Sequence, residues 1–169
     1  NSFLDEYHIR TEILQQHPVS GSLFATREKR PVLGLFTDRF MMRNQTQGGK
    51  IRWRNDYVPM EWGYSHNTFE EWGADSSTDT TSDVFSYTAR NRLGDWSRTR
   101  LNYRYQEYDQ TFEAENDFIT IDRETNLDSH EVNFNNVIYL SPDRQSNLSS
   151  TGRYFRQTGS TELETYMWN

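Results

Sequence analysis

Three arginines share one parity in the stretch WSRTRLNYRYQEYDQTF, residues 96–112. Arg98, Arg100 and Arg104 fall on one parity with Asn102 and Gln106. Thr99, Leu101, Tyr103 and Tyr105 fall on the other. A guanidinium is permanently charged and offers a planar fork of donors, so a row of them on one side of a strand is a wall that attracts anions. Arg90 and Arg92, just upstream, extend the set. A second cationic group comprises Arg39, Arg43, Lys50, Arg52 and Arg54. One reading is a water-filled lumen, anion-facing at Arg52, Arg54, Arg90, Arg98, Arg100 and Arg104. The other is a solvated sheet face, or a wall neutralised by facing Asp and Glu, since antiparallel sheets commonly keep one face wet.

The aromatic residues are the second candidate chemistry. The chain holds ten Tyr, ten Phe and five Trp. Trp53, Tyr57, Trp96, Tyr103, Tyr166 and Trp168 suit a membrane–water interface, where an amphipathic ring sits at headgroup level. The same rings suit cross-strand packing, or stacking on the sugars of a bound glycan.

Other chemistry finds little support. Asp75, Asp79 and Asp83, and the acidic stretch 113–131, lack the spacing of an EF-hand loop and read as solvated loops, the second with a short strand at 118–121 inside it. His8, His17, His66 and His130 show no metal-ligand spacing, and no hydrolase, zincin, phosphate-loop or dinucleotide motif occurs. No enzyme, cofactor or metal is expected. The absence of cysteine removes disulfides and thiolate sites. A net charge of −7 argues against nucleic acid as a partner. No apolar run is long enough for a membrane helix, which leaves membrane strands open because they need only alternate apolar residues. No signal peptide is read at Asn1.

These residues need strands to position them. Only 33% of the residues are hydrophobic, and aromatics dominate that share, which favours an ordered chain over a disordered one. The patterning predicts a strand over 2–15, a short strand over 22–27 and a polar break at 28–31. Two strands then meet at a Gly48-Gly49 hairpin, which would pair Asn44 with Trp53. Residues 75–83 read as a polar loop, and 84–92 leads through Leu93-Gly94-Asp95 into the stretch described first. A three-residue loop there keeps like faces together and sets Arg90 opposite Arg98, an unfavourable pair unless acids or anions compensate. Residues 131–140 alternate again, Ser141-Pro142-Asp143-Arg144 reads as a turn, and Gly159-Ser160 as a hairpin pairing Gly152 with Met167. The chain is then in mid-strand at Asn169.

Three segments carry a family resemblance: LNYRYQEY at 101–108, HEVNFNNVIYLSPDR at 130–144 and LSSTGRYFRQTGSTELETYMWN at 148–169. Their texture resembles the strands and turns of porin-like outer-membrane β-barrels of Gram-negative bacteria. The resemblance implies short periplasmic turns, longer external loops, a polar interior and a bilayer as partner, with small solutes or a partner protein in the lumen.

The expectation is therefore an all-β chain, one antiparallel domain over 1–169 built as a meander of about eight to nine strands, forming a β-barrel or part of a larger one. The expected role is passage or scaffolding in the outer membrane. The alternatives are an extracellular or periplasmic β-sandwich that binds a glycan through Trp and Tyr, and a structural module of a secreted assembly.

Overall fold

The two-residue periodicity is realised as nine strands in the computed structural model, which describes residues 6–32, 40–73, 75–116, 119–141 and 143–169. They are β1 (Tyr7–Ile13), β2 (Val19–Val32), β3 (Phe40–Trp53), β4 (Met60–Trp72), β5 (Ser76–Leu93), β6 (Ser97–Asn116), β7 (Ile119–Tyr139), β8 (Asn147–Gly159) and β9 (Leu163–Trp168). Each pairs antiparallel with its sequence neighbour in one nine-stranded meander, and no helix occurs among the described residues. The sheet is open: β1 and β9 do not touch.

Partners in an antiparallel ladder share a face, so the register assigns two continuous surfaces. The tyrosine face contains Leu101, Tyr103 and Tyr105, with Ala89, Tyr87 and Phe85 opposite them on β5 and Phe134, Val132 and His130 on β7. The arginine face contains Arg98, Arg100 and Arg104, with Arg92, Arg90 and Ser86 opposite on β5 and Val137, Asn135 and Glu131 on β7. No hydrophobic side chain is fully buried among the described residues; the buried polar residues are Ser20, Ser82 and Ser97. A water-soluble domain stabilises its sheet by burying an apolar face against a second layer. Among the described residues this sheet has no second layer, and apolar side chains lie on its tyrosine face without one to cover them.

Several sequence expectations are corrected. Gly48 and Gly49 do not turn the chain; they lie inside β3, paired with Phe24 and Leu23 on β2 and with Ser65 and Tyr64 on β4. Their missing side chains are used for close packing. A Cβ on Gly48 would lie 2.3 Å from the Tyr64 carbonyl oxygen and 2.9 Å from Phe24 Cζ, and one on Gly49 would lie 2.9 Å from Leu23 Cδ2. Because β3 is continuous, Asn44 does not pair with Trp53, and Arg43 faces away from Lys50 and Arg52. The polar break at 28–31 lies within β2.

The two acidic stretches are strands as well. Residues 76–83 begin β5, and 113–116 and 119–131 belong to β6 and β7. Alternation fails as a signal there because both faces are polar. Backbone pairing and β-branched Thr78, Thr80, Thr81, Thr111, Thr120 and Thr125 sustain the ladder instead.

Two hairpins shift register. The β5–β6 loop is 94–96, with Gly94 at φ +56°, so Arg90 opposes Arg100 and Arg92 opposes Arg98. This differs from the expected register by an even step, so every side chain keeps its face. The last hairpin slips by one residue. Gly159, at φ +117°, stays in β8 opposite Leu127, where a Cβ would lie 2.1 Å from the Asn126 carbonyl oxygen. Gly152 therefore pairs with Trp168 and Tyr154 with Tyr166. The expected turn at 141–144 is present as an Arg144 N–H donating to Ser141 O at 3.0 Å, with Pro142 outside the described residues. Residues 2–5 of the expected first strand also lie outside them.

Candidate functional site

The tyrosine face divides into two zones along the strands. Near the turns 14–18, 54–59, 94–96 and 140–146 it carries apolar side chains on all nine strands, interrupted on β5–β8 by a polar row of Asn91, Thr99, Asn136 and Ser150. Ile13 and Ile9 on β1 lead to Leu23, Ile51, Trp62, Tyr87, Leu101, Phe134 and Tyr154, and then to Trp168 on β9. Rings interlock across strands: Trp62 with Tyr87 at 5.7 Å between centroids, Phe85 with Tyr103 at 6.3 Å, Tyr154 with Tyr166 at 5.0 Å. Trp168 lies over Gly152 and stacks on Phe134 at 6.2 Å. Beyond this band the same face turns acidic at once, with Asp83, Glu107 and Asp128 abreast on β5, β6 and β7.

The border between the zones is drawn by tyrosine hydroxyls. Tyr64 donates to Asp83, and His66 Nδ1 lies 2.9 Å from the same carboxylate. Tyr105 donates to Asp128 at 3.2 Å, and the Tyr103 hydroxyl lies 3.0 Å from His130 Nδ1. Tyr154 and Tyr166 both donate to Glu164, at 3.1 and 2.6 Å. Five tyrosines on four strands thus keep the ring in the apolar band and the hydroxyl in the polar zone, the behaviour of an amphipathic side chain at a phase boundary.

The arginine face is mostly polar through the same span, with Phe24, Val84, Val137 and Phe155 among its apolar residues, and several of its arginines are paired. Arg52 donates through Nε and Nη2 to Glu61 at 3.0 and 2.7 Å, Arg153 pairs with Glu131 at 3.0 Å, and Arg10 with Glu12 at 3.1 Å. Thr88 donates to Asn102 at 3.2 Å and Gln106 to Ser82 at 3.0 Å. Such a surface suits contact with water or a polar partner and would be costly in contact with lipid.

Comparison with known proteins gives no match to a family model, to a curated protein or to a solved structure. Function has to be read from this geometry.

The residues singled out by sequence fall as follows. Arg52, Arg90, Arg98, Arg100 and Arg104 share the arginine face, with Arg104 donating to Gln106 at 3.1 Å. Arg54 lies past the end of β3, where its guanidinium donates to the Gln15 carbonyl at 3.1 Å. Arg43 is on the opposite face, paired with Glu70 at 2.6 Å and 5.2 Å from the Trp72 ring centre; Arg39 lies outside the described residues. Trp53, Tyr103, Tyr166 and Trp168 are on the tyrosine face, and Tyr166 and Trp168 are 74% and 70% exposed. Tyr57 and Trp96 are in turns, Tyr57 within an Asx turn in which Asn55 accepts from the backbone N–H of Tyr57 and Val58. Among the described residues no three metal-ligating side chains converge.

Sequence reasoning missed Tyr64, Tyr105, Tyr154 and their carboxylate partners. A signal was available: on five strands a ring is followed two positions on, hence on the same face, by an ionisable residue. The steps are Tyr64 to His66, Phe85 to Asp83, Tyr105 to Glu107, Tyr154 to Arg156 and Tyr166 to Glu164.

At the opposite end, Asp95 in the β5–β6 turn gathers Arg92 at 2.8 Å and Arg144 of the neighbouring turn at 3.0 Å. The Arg92 hydrogen bond first, then the Arg144 charge, holds its carboxyl below the usual carboxylate range. Arg98 and Arg144 both lie over the Tyr139 ring, at 5.7 and 5.5 Å. This end is thus tied together by short turns and charge.

Proposed function

We propose that this chain is a segment of a Gram-negative outer-membrane β-barrel, with its tyrosine face in lipid and its arginine face lining a polar lumen for passage of solutes or scaffolding of a partner protein. The observation that carries the reading is the border of tyrosine hydroxyls between a band of aromatic and aliphatic side chains that reaches all nine strands and an acidic zone. An aromatic girdle at a membrane surface has that form.

Three further features support it. From Leu93 to Phe85 the band, with Asn91 as a polar position inside it, takes about nine residues, or about 26 Å along the strand, close to the length a tilted barrel strand needs to cross a bilayer. β5, β6 and β7, at 18, 20 and 21 residues, run past the band into the acidic zone, as strands do when they project into water. Lipid against the tyrosine face also supplies the apolar contact that a sheet without a second layer lacks. Closure requires more chain: in a meander β1 and β9 run the same way, whereas bacterial single-chain barrels close with an even number of antiparallel strands.

The test is flotation. The chain, refolded from urea in the presence of phospholipid vesicles, is expected to rise with the vesicles through a density gradient and to resist an alkaline wash. A chain that stays in the aqueous layer, monomeric and β-rich by circular dichroism, would overturn the membrane reading.

A further inference from the structure

We infer that the arginine face carries an oxyanion site at its short-turn end, built by Arg90, Arg92, Arg98 and Arg100 and suited to a soluble phosphate-class ligand with two or more negative charges. The β5–β6 register sets Arg90 directly opposite Arg100, and Arg92 directly opposite Arg98. With the two-residue period, the four form a two-by-two block on one face. Like charges directly opposite across a ladder are unfavourable, so such a block is stabilised by compensating negative charge.

Elsewhere on this face the protein supplies that charge to several arginines; within the block, among the described residues, only Arg92 has it as an ion pair, with Asp95. Arg10, Arg52 and Arg153 each have a glutamate partner. Within the block, Arg92 reaches out to Asp95 and Arg98 covers the Tyr139 ring. The side chains of Arg90 and Arg100 make no ion pair, hydrogen bond or ring contact among the described residues. All four arginines line one cleft of about 520 Å³, together with Tyr57 and Asn135. Asp56 lines it too and forms no ion pair with them among the described residues.

The chemistry of the occupant follows from the donors. Guanidinium forks bind carboxylate or phosphate oxygens two at a time. A single carboxylate answers too little of this charge, and Asp95 is already shared between Arg92 and Arg144. A tetrahedral oxyanion with a second negative charge can take forks from Arg90 and Arg100 together while offsetting their neighbours. The block lies on the face opposite the aromatic band, which selects a dissolved phosphate compound over a lipid headgroup. The site depends on which residues share a face, and only the choice of a dissolved ligand over a headgroup rests on the membrane reading; a chain found to be soluble without detergent would still carry the site.

The test is calorimetric titration of the folded 169-residue chain with inorganic pyrophosphate at fixed ionic strength, with thermal melts recorded by circular dichroism. Saturable binding is expected, and the double variant Arg90→Gln/Arg100→Gln should weaken it at least tenfold. Arg153→Gln, on the same face but paired with Glu131, should change it less than twofold. Pyrophosphate should raise the melting temperature of the unaltered chain and not of the double variant. Without ligand the double variant should melt no lower than the parent, since its substitutions remove repulsion and no contact. Absence of saturable binding, an equal loss in Arg153→Gln, or a double variant that melts lower than the parent would each overturn the inference.

Discussion

Leu101→Arg is expected to cost about 2–4 kcal/mol of folding free energy in a lipid bilayer, while Asn102→Arg, one residue on, should cost well under 1 kcal/mol. Leu101 lies midway along the apolar band of β6, flanked on its own face by Thr99 and Tyr103 and by Ala89 and Phe134 on the adjacent strands. None of these carries a negative charge to pair with a guanidinium, and the bilayer midplane is where a lipid-facing charge is most costly. Asn102 faces the other way, between Thr88 and Asn133, and its loss removes only the Thr88 hydrogen bond of 3.2 Å. Equilibrium unfolding by urea from lipid vesicles measures both variants. Were the sheet to work in water, both positions would be partly solvated and the two substitutions would cost similar, small amounts. Equal effects would therefore count against lipid on the tyrosine face.

Gly48→Ala is expected to destabilise the sheet by about 1–3 kcal/mol, against a small effect for Gly21→Ala. The added methyl at Gly48 would sit 2.3 Å from a backbone oxygen of β4 and 2.9 Å from both Ser65 Cα and Phe24 Cζ. Two of those three atoms are backbone, so relief requires β3 and β4 to move apart and weakens their pairing. At Gly21 the nearest atom is Lys50 O at 3.4 Å, which a small adjustment accommodates. Both positions lie in strand interiors, so the general cost of glycine in a strand cancels in the comparison. Urea unfolding of the two variants side by side reads the difference. A Gly48→Ala variant as stable as Gly21→Ala would mean that the close approach of β3 to β4 is not a feature of the folded chain.

The parity of residues 97–106 was readable because arginine alternates there with Thr, Leu and Tyr, and the structure keeps those two sets on opposite faces. The β5–β6 loop was placed one residue early, yet the faces survived because the register moved by an even step. The Gly159 hairpin did not have that protection. A slip of one residue exchanged Thr165 for Tyr166 opposite Tyr154 and hid the pair of tyrosines that share Glu164. Gly48-Gly49 misled for a related reason. A glycine pair marks either a turn or a place where neighbouring strands need room, and the deciding atoms, Phe24, Leu23 and Tyr64, are distant in sequence. Apart from the short strand expected at 118–121, whose residues 119–121 lie in β7, the acidic stretches are illegible as strands because their two faces differ little. Alternation reports a contrast between environments, and where both sides meet water only backbone pairing remains. The border tyrosines were half legible. Each ring was visible, but its meaning lay in the ionisable residue two positions along the same face.

The most direct test of the account uses the absence of cysteine from the chain. Single cysteines placed along β6 from Ser97 to Glu113 can carry spin labels without background, and collision with oxygen or with a water-soluble nickel complex then reports lipid or water at each position. In vesicles, labels at Thr99, Leu101 and Tyr103 should favour oxygen, and those at Arg98, Arg100 and Asn102 should favour nickel. That period of two should end at Glu107, with both faces open to nickel beyond it. Equal nickel access at Leu101 and Asn102, or an alternation that continues unbroken to Glu113, would contradict the account.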